Sequence, residues 1–400
     1  MTKNPERRAW LILLAAFALC CAIIVAVPLS IRAHLMGAVR ERDVTVESLS
    51  GTVVIDAPVG AGPRPLSQGE SDTISPGTTI RVDESSEAVV QLFDHSFMRL
   101  YGGTTIKLER AESPRYGASP LPNAVRLSLV GGRVQIGTAI SLDTPLDFQV
   151  STLQANTTLN ADGSYAIEVS NDRTEVVCYR GEAQVEALDE TVELVGRART
   201  AVSFGSAPEP ASDIARNLIV NGDFVDAFEP AWRLFNDQGA DGGEVDGTIE
   251  MVVDQGLRAA RFARSGADGN HCETILEQTI DQPVPDPLTS LKVRATVKVR
   301  YQGLSGGGYL SSEYPLMIRI TYRDVYDSEA EWIAGFYYEN DSGNPTTYGI
   351  SIPRDSWYAY ESDNLLENLP IRPYRIVRVR VYGSGWDYES LISDINLIVE

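Results

Sequence analysis

The side chains with most chemistry to offer in this 400-residue chain are three histidines, four cysteines and a crowd of aromatic rings near the C-terminus. His34 follows a long apolar run, His95 falls in an expected hairpin turn, and His271 adjoins Cys272. No H-E-x-x-H, C-x-x-C or Walker spacing gathers such residues for metal, redox or nucleotide chemistry. Gly383-Ser384-Gly385 and Gly306-Gly307-Gly308 lack the strand-to-helix setting in which backbone amides cradle a phosphate. Asp and Glu are abundant, so a glycosidase-type carboxylate pair has no meaning without geometry. The pattern points away from catalysis.

Binding has better support. Tyr337, Tyr338, Tyr348, Trp357, Tyr358, Tyr360, Trp386 and Tyr388 crowd the last third of the chain. Such rings can stack on the apolar face of a sugar while neighbouring Asp, Asn and Arg groups bond its hydroxyls. In an all-β domain many rings instead fill the core or pave a strand face. Turn-type residues flank Trp357 and Trp386, so these two, with Tyr358 and Tyr388, are the candidate ligand-binding residues.

The segment that must position everything else comes first. Lys3, Arg7 and Arg8 precede nineteen uncharged residues, Ala9 to Val27, and the apolar character continues to Ile31. About 20 apolar residues at a rise of ~1.5 Å match a ~30 Å hydrocarbon core. A cleaved secretory signal has a shorter apolar region and a small-x-small cleavage site, and a buried core helix is the remaining alternative. The expectation is an uncleaved transmembrane signal anchor over 9–31. Positive charge is nearly even on its two sides, with Arg32, Arg40 and Arg42 following. The acidic, strand-rich remainder reads as an exported ectodomain, which makes 1–8 a cytoplasmic tail and the bulk extracytoplasmic.

A net charge of −21 and a pI near 4.6 exclude nucleic acid as a partner, since phosphate binding needs clustered Lys and Arg. Cys20 and Cys21 lie inside the anchor, and Cys178 and Cys272 fall in different halves of the ectodomain. No disulfide framework is expected, so stability must come from apolar cores.

The Pro/Ser-rich stretch 206–216 reads as a linker between two halves, each long enough for one core. In the first, 44–205, Gly51, Gly77, Gly103 and Gly132 each lead into a β-branched strand at spacings of 26, 26 and 29 residues. Gly181 repeats the pattern 49 residues later. Glycine suits a turn with positive φ, and β-branched residues suit a pleated surface. A recurring strand-turn unit predicts either a solenoid-like stack or an ordinary sandwich.

These residues carry a resemblance. Gly51-Thr-Val, Pro76-Gly-Thr-Thr-Ile-Arg-Val82, Ser86-Glu-Ala-Val-Val-Gln-Leu-Phe-Asp-His-Ser96, Val130-Gly-Gly-Arg-Val134 and Thr174–Val185 resemble the strand-and-turn grammar of the FecR domain. His95 stands where that family has a turn glycine, and Gln154–Asn160 lacks its R-G-T. Members that regulate iron transport signal across the membrane to a sigma factor. Many others are envelope or surface proteins. The eight-residue tail is too short for an anti-sigma helical domain, so the broader implication is carried over.

The second half, 217–400, opens with Asn217-Leu-Ile-Val-Asn-Gly-Asp-Phe224 and closes with Ser390–Glu400. This pairing of end strands resembles the galactose-binding-like jelly roll of carbohydrate-binding modules. Within it, Leu291, Val293, Ala295, Val297, Val299 and Tyr301 alternate with Lys292, Arg294, Thr296, Lys298 and Arg300, which predicts a half-buried strand with one wet face. Ile376–Tyr382 repeats the pattern with Arg378 and Arg380 outward. The resemblance also implies a structural calcium between the first and last strands, with Asp223 and Asp394 as ligands and Asn221 adjacent. Val225 departs from the acidic residue often found there.

The expected architecture is an all-β ectodomain, a FecR-like domain followed by a β-sandwich jelly roll, behind one N-terminal transmembrane helix. The expected function is a membrane-anchored extracytoplasmic binding or scaffold protein, with the bilayer as one partner and a glycan or another envelope protein as the second. Alternatives are a transmembrane signalling regulator acting through a membrane partner and an envelope glycan hydrolase.

Overall fold

The computed structural model describes residues 5–58, 62–117, 119–141, 143–240 and 243–400. Residues 1–4 of the expected cytoplasmic tail, Lys3 among them, lie outside the described residues. Helix α1 (Pro5–Gly37) is 33 residues long and holds Pro28 in its interior. Its stretch Ala9–Gly37 is long and apolar enough to cross a membrane, and no protein covers it. In water those exposed side chains would be costly, whereas in lipid they are matched to their solvent.

The first ectodomain consists of two facing sheets that share the strand Asn123–Thr138. One sheet runs, in spatial order, from Arg64–Leu66 through Val53–Asp56, Thr79–Val82 and Thr105–Pro114 to the shared strand. It continues through Leu146–Ser151, Asn156–Leu159 and Glu182–Ala187 to Glu190–Val195. The other runs from Ser71–Ile74 through Val44–Ser50, Glu87–Gln91 and Phe97–Leu100 to the shared strand. It ends through Gly163–Val169, Arg173–Arg180, Ala198–Ser203 and Ser212–Asp213. Val46, Ile80, Leu100, Ile106, Val134 and Ile167 are among the residues that fill the space between them.

Gly51, Gly77, Gly103, Gly132 and Gly181 all have positive φ, and each marks a point where the chain passes from one sheet to the other. The repeat therefore encodes a corner. Gly132 shows why: with φ at +88°, a Cβ there would also stand 2.5 Å from the Thr104 Cα. The result is a sandwich whose recurrent element is the crossing between layers. His95 adopts φ +72° without being glycine, in a turn closed by the Leu92 N–H to Ser96 O bond of 2.8 Å.

The second ectodomain is a two-sheet sandwich. One sheet has the order Thr248–Asp254, Leu257–Arg264, Tyr388–Val399, Leu291–Gln302, Tyr358–Glu361, with Arg216–Asn217 also on Tyr388–Val399. The other has the order Arg233–Asp237, Cys272–Pro283, Arg375–Gly385, Leu316–Arg323, Glu329–Tyr337, Gly349–Ser351. First and last strands meet as the end motifs require. The Asn217 Oδ1 accepts from the Ile219 and Leu397 amides, and Ile395 N–H donates to Gly222 O.

The stretch 206–216 is tied down. Glu209 N–H donates to Ala201 O at 2.8 Å, Pro208 is buried, and Ser212–Asp213 pairs with Ala198–Arg199. Only Ile214 and Ala215 separate that pairing from the one made by Arg216–Asn217.

The two ectodomains are pressed together, and this corrects one expectation. The charged side of Leu291–Gln302 is not wet: Arg294 is 3% exposed and Lys298 0%. Lys298 Nζ is held by Asp254 at 3.0 Å and Asp355 at 3.1 Å, and Arg294 Nε donates to Glu361 at 3.0 Å. Burying such cations is costly unless each is paired, and here each has a carboxylate. From the first domain, Arg133 reaches the same Glu361, and Arg99 Nη1 donates to Ala359 O at 2.9 Å. Beside this ionic layer Phe97 packs with Leu257, Ala259, Trp357, Ala359 and Leu391.

Candidate ligand-binding face

The four candidate aromatic residues go to different places. Trp357 is fully buried in the cluster between the domains, its Nε1 donating to Asp254 O at 3.3 Å. Tyr358 lies under the Arg99 guanidinium, 4.7 Å from ring centre to Cζ. Tyr388 is buried and donates its hydroxyl to Thr274 Oγ1 at 2.6 Å. These three are packing residues, because a ring buried on both faces offers none to a sugar. Trp386 remains 42% exposed.

Trp386 leads to the site. It follows the strand Arg375–Gly385, whose residues Arg378, Arg380, Tyr382 and Ser384 point away from the sandwich core by strict alternation. Register across that sheet lines up Phe235, Ile275, Tyr382 and Met317 as one row on the outer face. The next row is Arg233, Glu277, Arg380 and Arg319, and the next Thr279, Arg378, Thr321 and Glu331. At the end of the apolar row come Gly335 and Gly349, in register, with the Tyr314 ring lying over them. A Cβ on Gly335 would meet that ring at 2.2 Å, so glycine is what lets the tyrosine lie flat.

The apolar row of this face is covered by the side chains around it. Tyr382, Ile275, Met317 and Tyr314 are buried although no second sheet covers them, and Phe235, Ile333 and Tyr337 pack half-buried around them. Arg319 lies 5.0 Å over the Tyr382 ring, and Arg233 lies 5.1 Å over Phe235. Arg380 Nε donates to Glu277 at 2.5 Å. Arg319 and Arg380 stand directly opposite each other, an unfavourable like-charge pairing that Glu277, Glu273 and Glu331 offset. Burial pushes the Glu273 carboxyl above the ordinary carboxylate range, with Arg319 and His271 pulling against it. At the rim, His271 Nδ1 lies 2.6 Å from Glu313 Oε1.

The expected calcium ligands are arranged otherwise than a cation cage needs. Asn221 spends its amide within its own loop, accepting from Asp226 N–H and donating to the Asp226 and Ala227 carbonyls. Asp394 accepts from Asn396 Nδ2 at 3.3 Å. Among the described residues no group of three or more His, Cys, Asp or Glu is gathered for a metal ion. Calcium takes about 6–8 oxygens, so Asp223 and Asp394 alone do not fit it.

Residues 78–184 match the FecR protein family. The FecR match begins at the turn before Thr79–Val82 and ends within Glu182–Ala187, so it includes the shared strand and four of the corner glycines' neighbouring crossings lie in or beside it. A comparison with curated proteins finds no match. Among solved structures, a "putative anti-sigma factor" from Parabacteroides distasonis ATCC 8503 is 18% identical with a TM-score of 0.27, covering 34% of this chain. The chain spans 59% of that structure's length. A family 11 carbohydrate-binding module from Clostridium thermocellum, in complex with a mixed-linked tetrasaccharide, is 11% identical with a TM-score of 0.28. That likeness covers 47% of this chain and 97% of the module.

Of the residues that build this face, Trp386, Tyr337, His271 and the outward Arg378 and Arg380 stand out in the sequence, and the others do not. The apolar row comes from four strands far apart in the chain, and only their register brings it together. Of these strands only Ile376–Tyr382 shows its alternation in the sequence, and the alignment between strands leaves no sequence signal.

Proposed function

We propose that this is a membrane-anchored, extracytoplasmic glycan-binding protein whose ligand lies along the outer face described above. The observation that carries this reading is the exposed Trp386 ring and the half-buried Phe235, Ile333 and Tyr337, which lie on the same face as the charged row Arg233–Glu277–Arg380–Arg319. A sugar has an apolar ring face and a polar rim. A surface with partly exposed aromatic rings next to fixed carboxylates and guanidinium groups complements both. Trp386 at the open end supplies an exposed ring. The helix would leave the N-terminus in the cytoplasm and the sandwich outside, where envelope glycans are.

Binding rather than turnover is the reading because the carboxylates of the face are committed to arginines. Burial raises the Glu273 pKa in the direction a general acid needs, but Glu277 is held by Arg380 and Glu331 faces Arg319. The test is retention of the detergent-solubilised full chain on a glycan array, followed by Arg319→Ala and Trp386→Ala. Loss of retention in both variants supports the assignment. Retention unchanged by either sinks it, and release of reducing ends from a retained glycan would make the protein a hydrolase instead.

The FecR match favours a second reading, in which ligand occupancy is passed to a membrane partner. Co-purification of a second integral membrane protein with the full chain would support it, and recovery of the chain alone from native membranes would count against it.

A further inference from the structure

We propose that the membrane-proximal end of the first ectodomain is a phosphate-binding site for anionic phospholipid headgroups of the bilayer that α1 enters. The inference rests on α1 being membrane-inserted, but on neither its orientation nor glycan binding. The chain resumes as a strand, Val39–Glu41, two residues after α1 ends. That strand pairs with the end of Thr105–Pro114, placing Arg40 opposite Ser113. Ser119 Oγ donates to Met36 O at 2.6 Å, and Arg115 N–H to Ala38 O at 2.9 Å, so the following loop is bonded to the helix exit. Gly37 lies six positions beyond Ile31, about 9 Å of helix. The headgroup layer is roughly 5–8 Å deep on each side of the hydrocarbon. The helix exit therefore lies at the outer edge of the headgroup layer, from which long arginine side chains can reach back to lipid phosphates.

The charges there are unusual for so acidic a chain. Arg32, Arg40, Arg42 and Arg115 make no ion pair among the described residues, while Arg110 and Arg126 on the adjoining strands both do. Arg40 Nε and Arg42 Nε both donate to the one Ser113 Oγ, at 3.4 and 2.9 Å. Two guanidinium groups thus converge on a single hydroxyl oxygen, an arrangement that repels unless an anion joins it. Alternation puts Glu41 and Glu112 in register on the opposite face. Beside the arginines is a cavity of about 240 Å³ lined by Arg40, Arg42, Phe93, Ser113, Tyr116 and Ser119, among others, with no carboxylate in its lining. Arg42 also lies 5.7 Å from the Phe93 ring centre, which holds it on the cavity wall. A phosphate diester fits this chemistry: it accepts from both forks, and its glycerol end lies toward the lipid.

The full chain is placed in nanodiscs of phosphatidylcholine, with or without phosphatidylglycerol, and amide hydrogen exchange is followed over 38–42 and 113–117. The expected result is slower exchange in the anionic discs. Native mass spectrometry should show preferential retention of phosphatidylglycerol, falling by about 25-fold in R40Q/R42Q if each arginine contributes about fivefold near the surface. Unchanged exchange of the buried strand Gly163–Val169 in that variant excludes misfolding as the cause. Equal exchange in both lipids overturns the site, as does full reproduction of the slowing by inorganic phosphate in neutral discs. A chain that does not enter the discs overturns the membrane insertion of α1 and this site with it.

Discussion

Arg133 Nη2 donates to both carboxylate oxygens of Glu361, at 2.8 and 2.9 Å, across the boundary between the two ectodomains. Arg294 and Lys292 approach the same carboxylate from within the sandwich, at 3.0 and 3.4 Å. Glu361 is 6% exposed and serves as the counter-ion for three cations. Its removal leaves Arg294 buried without a charge partner. Glu361→Ala is expected to cost about 3–5 kcal/mol, read as a fall in the denaturant midpoint of the full chain.

The same carboxylate gives a pH dependence. Burial alone would raise its pKa, but Arg294, Arg133 and Lys292 outweigh burial and hold it at about 2, against an ordinary 4.5. A lowered folded-state pKa stabilises above 4.5 and is lost as pH falls from there toward 2. The contribution is about 3 kcal/mol. Glu47, Asp94 and Glu273 are pushed up by burial and act in the opposite sense. The isolating measurement is the stability difference between wild type and Glu361→Gln, which should shrink through that acid window. A difference constant from pH 5 down to 3 would contradict the assignment.

Trp357 and Trp386 should part company in mutagenesis. Trp357→Ala opens a hole between the domains and is expected to cost about 3–5 kcal/mol of stability. Trp386→Ala should leave stability within about 0.5 kcal/mol and lower glycan retention by about tenfold, about 1.4 kcal/mol. Thermal melts and array titrations of both variants check the pair together.

Gly132→Ala places a Cβ 2.5 Å from the Thr104 Cα at φ +88°. Gly205→Ala meets nothing within 4 Å at φ +72° and pays for conformation alone. Backbone strain of this kind costs about 1–3 kcal/mol, so the Gly132 variant should lose more than the Gly205 variant. Equal losses would mean that the corner does not need the close approach.

Cys178 and Cys272 are fully buried and unbridged. Burial pushes the Cys178 thiol up to about 12 and raises that of Cys272. Thiolate is the reactive form, so neither should react with a thiol reagent at neutral pH until the ectodomain unfolds. Peptide mapping after labelling with and without denaturant reads this directly.

Much of the fold was legible because local signals and tertiary demands agree. The five glycines predicted positive φ and all have it, and their spacing marks the crossings between sheets. The Leu291–Tyr301 alternation correctly announced a strand. It misled about its surroundings, since a charged stripe facing a partner domain's carboxylates has the same sequence as one facing water. Arg294 and Lys298 are the instance. Trp357 misled in the same way: turn residues flank it, but the surface it would have paved is occupied by Phe97 of the other domain. Phe235, Arg319 and Glu277 escaped notice because a site built by register between residues 40 to 107 positions apart leaves no local pattern.

With only Ile214 and Ala215 between the last pairing of one ectodomain and the first of the next, the molecule has little slack. A load applied to the far sheet of the sandwich would travel through the Glu361 layer as through a strut and arrive at the bilayer as displacement of the anchor. Whatever the sandwich holds, it holds at a fixed height above the lipid.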